Sequence, residues 1–199
     1  LGVNQCFIRI QNHIMNQTGV KLPDEIISQF LQYGEIDVND KYQNMVKEVA
    51  EAVDLPLVIS GSKNAERDAE LLGKASEAVQ GKNALILAAK EENYKTVGAA
   101  AGLAYNQVVG AESSVDINLA KQLNVLLSQL GVKPESVVMN VGTAAAGYGY
   151  EYVASTMQRV KSAALSQNDA QLQMPIITPV ASETWSTKEA TQAEADTPE

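Results

Sequence analysis

Short apolar runs alternate along most of this chain with stripes of apolar residues spaced three and four apart, the rhythm of strands and helices taken in turn. Six runs read as strands: Cys6–Ile10, Pro56–Ser60, Ala84–Ala88, Gln107–Ala111, Val137–Asn140 and Pro175–Pro179. Each is brief, and several are β-branched, as expected of strands covered on both faces. Between them the spacing predicts helices. Tyr42, Met45, Val49 and Val53 make one stripe, with Asp40 as its N-cap. Ala65, Ala69, Leu72 and Val79 make the next, capped by Asn64 and ended near Gly81. Tyr94, Val97, Ala101 and Ala104 follow Asn93. Ile117, Ala120, Leu123, Leu127 and Leu130 run from Asp116 to Gly131, and Val153, Met157, Val160 and Ala164 complete the set.

The order β α β α β α β α β α β predicts an α/β fold of the (β/α)8 TIM-barrel type, incomplete here, with about six of eight strands. A full barrel usually needs roughly 250 residues, and this chain has 199. The barrel domain is placed at residues 1–185. An irregular insertion at 11–39 carries one helix, from Pro23 to about Tyr33. Residues 186–199 form an acidic C-terminal segment, and Trp185 is expected to anchor the last helix. The chain does not begin with Met and enters on the approach to a strand, so it reads as a piece of a longer protein.

Composition narrows the partners. Apolar residues make up 45% of the chain, enough for a real core. No apolar run reaches the roughly 18 residues of a membrane span. The formal net charge is −9 with no basic block, which argues against nucleic acid and anionic membrane. Cys6 is the only cysteine, so no internal disulfide forms, which fits the cytoplasm. On its strand it reads as a core residue.

The candidate chemistry sits at the strand ends, the functional face of a barrel. From Ser136 to Tyr152 an apolar strand runs into the loop GTAAAG, Gly142 to Gly147, and then into a helix bearing three closely spaced tyrosines. Gly142, Gly147 and Gly149 let bare backbone approach a flat or anionic ligand. The loop has the spacing that opens a phosphate loop, but Tyr148 and Gly149 stand where a lysine and a hydroxyl residue must follow, so no nucleotide site is supported. Its plainer role is close packing of loop on barrel. Lys90, Glu112, Ser113, Ser114, Asp116, Asn118 and Asn140 fall at or just past strand ends. Asp116 reads first as a helix cap. Asn140 is an amide in need of a partner. Lys63, Glu66, Arg67, Asp68, Glu91 and Glu92 read as solvated helix starts. Tyr148, Tyr150 and Tyr152 suit stacking, a partner face, or, for one of them, the core. His13 is alone, lacks the surroundings of a cobalamin axial ligand, and cannot build a zinc site with one cysteine.

At these residues the chain resembles a known family. VDINLAKQLN from Val115 to Asn124, VVM from Val137 to Met139 and GYGYEY from Gly147 to Tyr152 are similar to the small (delta) subunit of the corrinoid iron–sulfur protein, part of the carbon monoxide dehydrogenase/acetyl-CoA synthase (acetyl-CoA decarbonylase/synthase) system. Met157–Arg159, Ala163–Leu165 and Gln173–Pro175 extend the likeness, as do Leu55–Gly61, Glu66–Glu70 and Glu92–Lys95, so that it runs from about Asp40 to Glu189. The chain departs from the family at Asn140 and Val141, where an aspartate–proline pair is usual. Its 11–39 connection is also longer, and the family's first and last barrel strands are absent.

The resemblance implies a barrel subunit paired with a large subunit that alone carries the iron–sulfur cluster. A corrinoid is then shared at the junction, passing a methyl group from a methyl-tetrahydropterin, through a methyltransferase, to acetyl-CoA synthase. The residues expected to meet the corrinoid are Gly142, Thr143, Gly147, Tyr148 and Gly149, with Asn140 and Glu112 behind them. The chain is then not catalytic by itself. Two other functions fit the residues. One is a pterin-dependent methyltransferase barrel, with Asn140 and a carboxylate, Glu112 or Asp116, holding the pterin. The other is a structural partner subunit without cofactor.

Overall fold

The structure, a computed structural model, describes residues 38–191. The expected strand Cys6–Ile10, the helix from Pro23 and His13 lie outside the described residues. The chain divides into two units, Leu1–Val38 and Asn39–Glu199, and the sheet lies in the second.

Five strands, β1 (Val58–Ser60), β2 (Leu85–Ala89), β3 (Val108–Glu112), β4 (Val137–Asn140) and β5 (Ile176–Ile177), form one sheet in sequential order, every neighbouring pair parallel. The sheet curls into about half of a barrel. Parallel neighbours need a crossover, and helices supply it: α1 (Val38–Ala52) precedes β1, α2 (Ala65–Ala78) follows it, and α3 (Tyr94–Val97), α4 (Ile117–Leu130) and α5 (Tyr150–Ser166) follow β2, β3 and β4. Two short helices, α6 (Val180–Thr184) and α7 (Lys188–Thr191), come after β5. Ile86, Leu87, Ala88 and Ala89 of β2 and Val109, Gly110 and Ala111 of β3 are all buried, as expected of central strands in a parallel sheet. β1 alternates exposed, buried, exposed, as the edge position dictates. Register shifts once, between Leu87 and Ala89, where the Leu87–Ala88 peptide is cis.

Sequence and structure agree on most helix faces. Leu72, Leu123, Leu127, Val153 and Val160 are all buried in the core. Asp116 Oδ1 accepts from the Asn118 and Leu119 amides, and Asn64 caps α2 through the Arg67 amide. At the opposite end of the sheet, buried Gln107 donates to the Val79 and Tyr105 carbonyls and accepts from the Ala84 amide, which stitches the starts of β2 and β3 to the end of α2.

Several local expectations are corrected. The buried stripe of α1 is Tyr42, Val46 and Ala50, while Met45 and Val49 are exposed, so the helix is turned by one residue. Asp40 lies in its first turn and pairs with Lys74 instead of capping. The third helix passes after Val97 into a π-helix, Gly98–Ala104, whose longer turn carries Ala104 out to solvent. A side chain at Gly98 or Gly102 would lie 2.8 Å from Leu127 or Val132, so this segment packs close because it is small. Asn93 does not cap that helix; its amide bridges the Lys90 nitrogen and the Ala65 carbonyl. Trp185, expected to anchor the last helix, is instead 72% exposed at the end of the five-residue α6.

Candidate functional site

The C-terminal ends of β1 to β4 open onto a cavity of about 540 Å³, within the roughly 300–1,000 Å³ of small-molecule pockets. The backbone keeps the strand ends together past the strands themselves. The Gly61 amide donates to the Leu87 carbonyl, Ser113 to Asn140 and Val115 to Val141, at 2.8–2.9 Å.

One wall is a continuous polar chain. Glu112, the last residue of β3, takes the Lys90 ammonium on one carboxylate oxygen at 3.1 Å and the Asn140 amide on the other at 3.2 Å. The side-chain oxygen of Asn140, Oδ1, then accepts the Gly142 amide at 3.1 Å. Register sets this up, because Glu112 and Asn140 are paired neighbours at the ends of adjacent strands. The result is a neutralised cluster that fixes the first residue of the glycine loop. Gly142 sits at φ 93°, open to glycine and poor for other residues, with its α-carbon facing the Ser114 backbone.

That facing turn is strained. Ser114 and Val115 both have positive φ, 46° and 60°, and left-handed backbone costs a non-glycine residue roughly 1–2 kcal/mol. A β-branched residue there is an outlier of the kind that clusters at ligand sites. Next to it Thr143 lines the pocket, its hydroxyl buried and without a hydrogen-bond partner among protein atoms, and the Ser113 hydroxyl is buried and unpartnered too. Buried hydroxyls are normally satisfied, and Thr143 is an exception among the residues that line the pocket.

The opposite wall is built on Asp68. It is 3% exposed, although its position in the first turn of α2 reads as solvated. The chain after β1 folds back so that Ser62 donates to Asp68 Oδ1 through its amide at 2.6 Å and its hydroxyl at 2.7 Å. A side chain at Gly61 would lie 2.5 Å from that carboxylate. Tyr42 donates to the Ser60 carbonyl, and burial, with the Asp68 charge second, pushes its phenol pKa above the ordinary value. Lys63 at the mouth pairs with Glu183 at 2.9 Å.

The structure thus gathers Glu112, Asn140, Gly142 and Thr143 into one pocket, with Lys90 and Ser114. It does not bring Gly147, Tyr148 or Gly149 to that wall. Gly147 is exposed, Gly149 leads into α5, and Tyr148, 57% exposed, donates its phenol to Glu189 of α7 at 2.7–2.8 Å. That bond raises the Tyr148 pKa and lowers that of Glu189. Of the other tyrosines, Tyr150 packs on the core and Tyr152 is exposed. Asp116 serves as a cap and does not line the pocket. Asp68 and Lys63 line the pocket too, although in sequence both read as solvated helix starts. Asp68 lies three residues beyond Ala65, near enough for a loop between strand and helix to fold back on it, and only the short Gly61–Asn64 connection hinted at this. Among the described residues no group of three His, Cys, Asp or Glu side chains is placed to hold a metal ion, and no helix is long and apolar enough to cross a membrane.

Comparison with known proteins points one way. The family described as CO dehydrogenase/acetyl-CoA synthase delta subunit matches residues 18–195. The acetyl-CoA decarbonylase/synthase complex subunit delta of Methanothermobacter thermautotrophicus is 41% identical over 132 residues, 66% of this chain and 33% of the relative. The same subunit of Archaeoglobus fulgidus is 33% identical over 159 residues, 77% of this chain and 35% of the relative. Subunit delta 1 of Methanosarcina thermophila is 38% identical over 125 residues, 62% and 29% of the two chains. The chain spans about a third of the length of these curated relatives. The family match covers the strand-end pocket and every element that builds it, and on that ground the chain belongs to the CO dehydrogenase/acetyl-CoA synthase delta subunit family.

Proposed function

We propose that this chain supplies one side of a corrinoid site in an acetyl-CoA decarbonylase/synthase complex, its strand-end rim set against a cofactor that a large corrinoid and iron–sulfur subunit carries. One observation carries the reading. The Gly142–Thr143 rim lines the pocket and carries a buried hydroxyl without a partner, while Lys90, Glu112 and Asn140 beside it are paired with one another. The residues fit such a group in kind. A corrin ring is rimmed by amide arms that need both donors and acceptors, and the Thr143 hydroxyl offers both. At about 540 Å³ the pocket suits part of the ring's edge, not the whole macrocycle. The bound corrinoid would supply a cobalt able to carry a methyl group between a methyl-pterin and acetyl-CoA synthase.

The chain's own contribution is placement and exclusion of water. Lys90, Glu112 and Asn140 hold the Gly142 amide, and therefore the rim, in one position. In this reading the protein works in the cytoplasm as one half of a heterodimer, touching the methyltransferase and acetyl-CoA synthase only in passing. The test is the visible spectrum of the chain purified with its large subunit and corrinoid. Cobalt bands at full stoichiometry are expected for the wild type. Gly142→Val should sharply reduce them, and Thr143→Val should weaken retention about tenfold, the effect of one hydrogen bond. Unchanged retention in both variants refutes the reading.

A second function is favoured by the Glu112–Asn140 contact itself. A carboxylate and an amide 3.2 Å apart in a pocket are suited to the donor and acceptor edge of a pterin. A chain that by itself binds methyl-tetrahydrofolate and methylates free cobalamin would make it a pterin-dependent methyltransferase barrel. Glu112, and not Asp116, would then be the carboxylate used.

A further inference from the structure

The segment that leaves β5 crosses to the far side of the pocket. β5 and β1 are the two edges of the sheet, yet within a few residues of Ile177 the chain brings Glu183 to within 2.9 Å of Lys63, just past β1. Pro179 and Glu183 are themselves part of the pocket lining. Further on, Glu189 accepts the phenol of Tyr148 from the loop between β4 and α5. The segment is therefore tied both to the loop after β1 and to the loop after β4.

The Lys63–Glu183 tie is of the weak kind. The Lys63 side chain is 73% exposed and Glu183 34%, and exposed pairs contribute little to stability. α6 and α7 are five and four residues long, too short to hold as helices alone. Val180 and Trp185 are exposed, so neither of these large apolar side chains pins the segment to the core. While latched, Glu183 also occupies Lys63, the lysine that lines the mouth on the β1 side.

We propose that residues 179–191 form a removable strap over the strand-end pocket, latched by Glu183 to Lys63, which lifts to admit the ligand and frees Lys63 to face it. This rests on the pocket being a ligand site but not on which ligand enters.

The test is the rate at which a thiol-reactive dye labels Thr143→Cys in a Cys6→Ser background. Glu183→Lys breaks the latch and should speed labelling about two- to fivefold, the worth of one exposed ion pair. Adding Tyr148→Phe should speed it further. The swap Lys63→Glu with Glu183→Lys restores the pair and should return the rate to that of the parent. Equal rates in parent and Glu183→Lys, or a swap as fast as the single variant, overturns the proposal. Hydrogen exchange needs no added cysteine and reports independently: amides from Val180 to Thr184 should lose protection in Glu183→Lys, and unchanged protection refutes the strap. No corrinoid enters either assay. A failure here thus leaves the cofactor reading standing, and unchanged cofactor retention in the rim variants leaves the strap standing.

Discussion

Asn140→Asp is the most discriminating change the site offers. The Asn140 amide nitrogen donates to Glu112 at 3.2 Å, so the substitution faces two carboxylates across the same gap. Unscreened, two charges at that separation repel by about 5 kcal/mol at an effective dielectric of about 20. Lys90, 3.1 Å from the other Glu112 oxygen, offsets part of this, as does the Gly142 amide, which now donates to a charged acceptor. With the Glu112 side chain 25% exposed, solvent screens more. A net loss of about 2–3 kcal/mol at neutral pH remains. The two carboxyl groups then share a proton, with one apparent pKa raised in the folded state. A raised folded pKa means the deficit is absent below the usual carboxylate range. It grows as pH rises from that range through the raised value. Asn140→Ala is the control, losing both hydrogen bonds at about 1–3 kcal/mol without any such pH dependence. Urea unfolding at pH 7.5 and pH 4.5, read at equal slope, separates the two. A deficit in Asn140→Asp that is the same at both pH values, or none at pH 7.5, refutes the polar chain as described.

Three further outcomes are expected. Asp68→Ala strands the Ser62 amide and hydroxyl and should cost about 2–4 kcal/mol in urea unfolding; Gly61→Ala, which crowds the same carboxylate, should then cost much less in the Asp68→Ala background than alone, and strict additivity would contradict that contact. Asp116→Ala removes the side-chain cap of α4 and should lower stability by about 1 kcal/mol, seen as a lower Tm with pocket binding unchanged. The hydrogen bond from Lys121, chiefly, holds the Asp169 carboxyl below its usual range. Its contribution is therefore present above that range and lost as pH falls through the lowered value, so Asp169→Asn should lower stability slightly at neutral pH, leave it nearly unchanged at acid pH, and so flatten the acid limb of a stability–pH curve.

The five described strands were legible because each is a continuous apolar run bounded by polar residues, and parallel strands between helices leave that trace. The faces of α4 and α5 were legible for a related reason, since one stripe of large residues dominates each. α1 was not. Tyr42, Met45, Val49 and Tyr42, Val46, Ala50 are both acceptable stripes, and packing against the core chose the one with the smaller residues. The π-helix at Gly98–Ala104 has no periodic signature in a run so rich in glycine and alanine. At the site, Glu112 and Asn140 were visible as polar ends of apolar strands, and register made them partners. Gly142 and Gly147 looked alike in sequence, but the loop turns between them, and only Gly142 stays against the pocket. Asp68 was hidden because an acidic residue in the first turn of a helix serves the helix dipole equally well in solvent. Its burial depends on the Gly61–Asn64 loop folding back.

The central claim is that the rim after β4 is the surface this chain turns toward a corrinoid. Hydrogen exchange on the complex with the large subunit, with and without corrinoid, tests it most directly. Protection should appear on cofactor binding at the amides of Gly142 to Ala145 and at Ser114 and Val115, with little change along α1 or α5. Protection confined to those outer helices, with the rim exchanging at the same rate in both states, would contradict it.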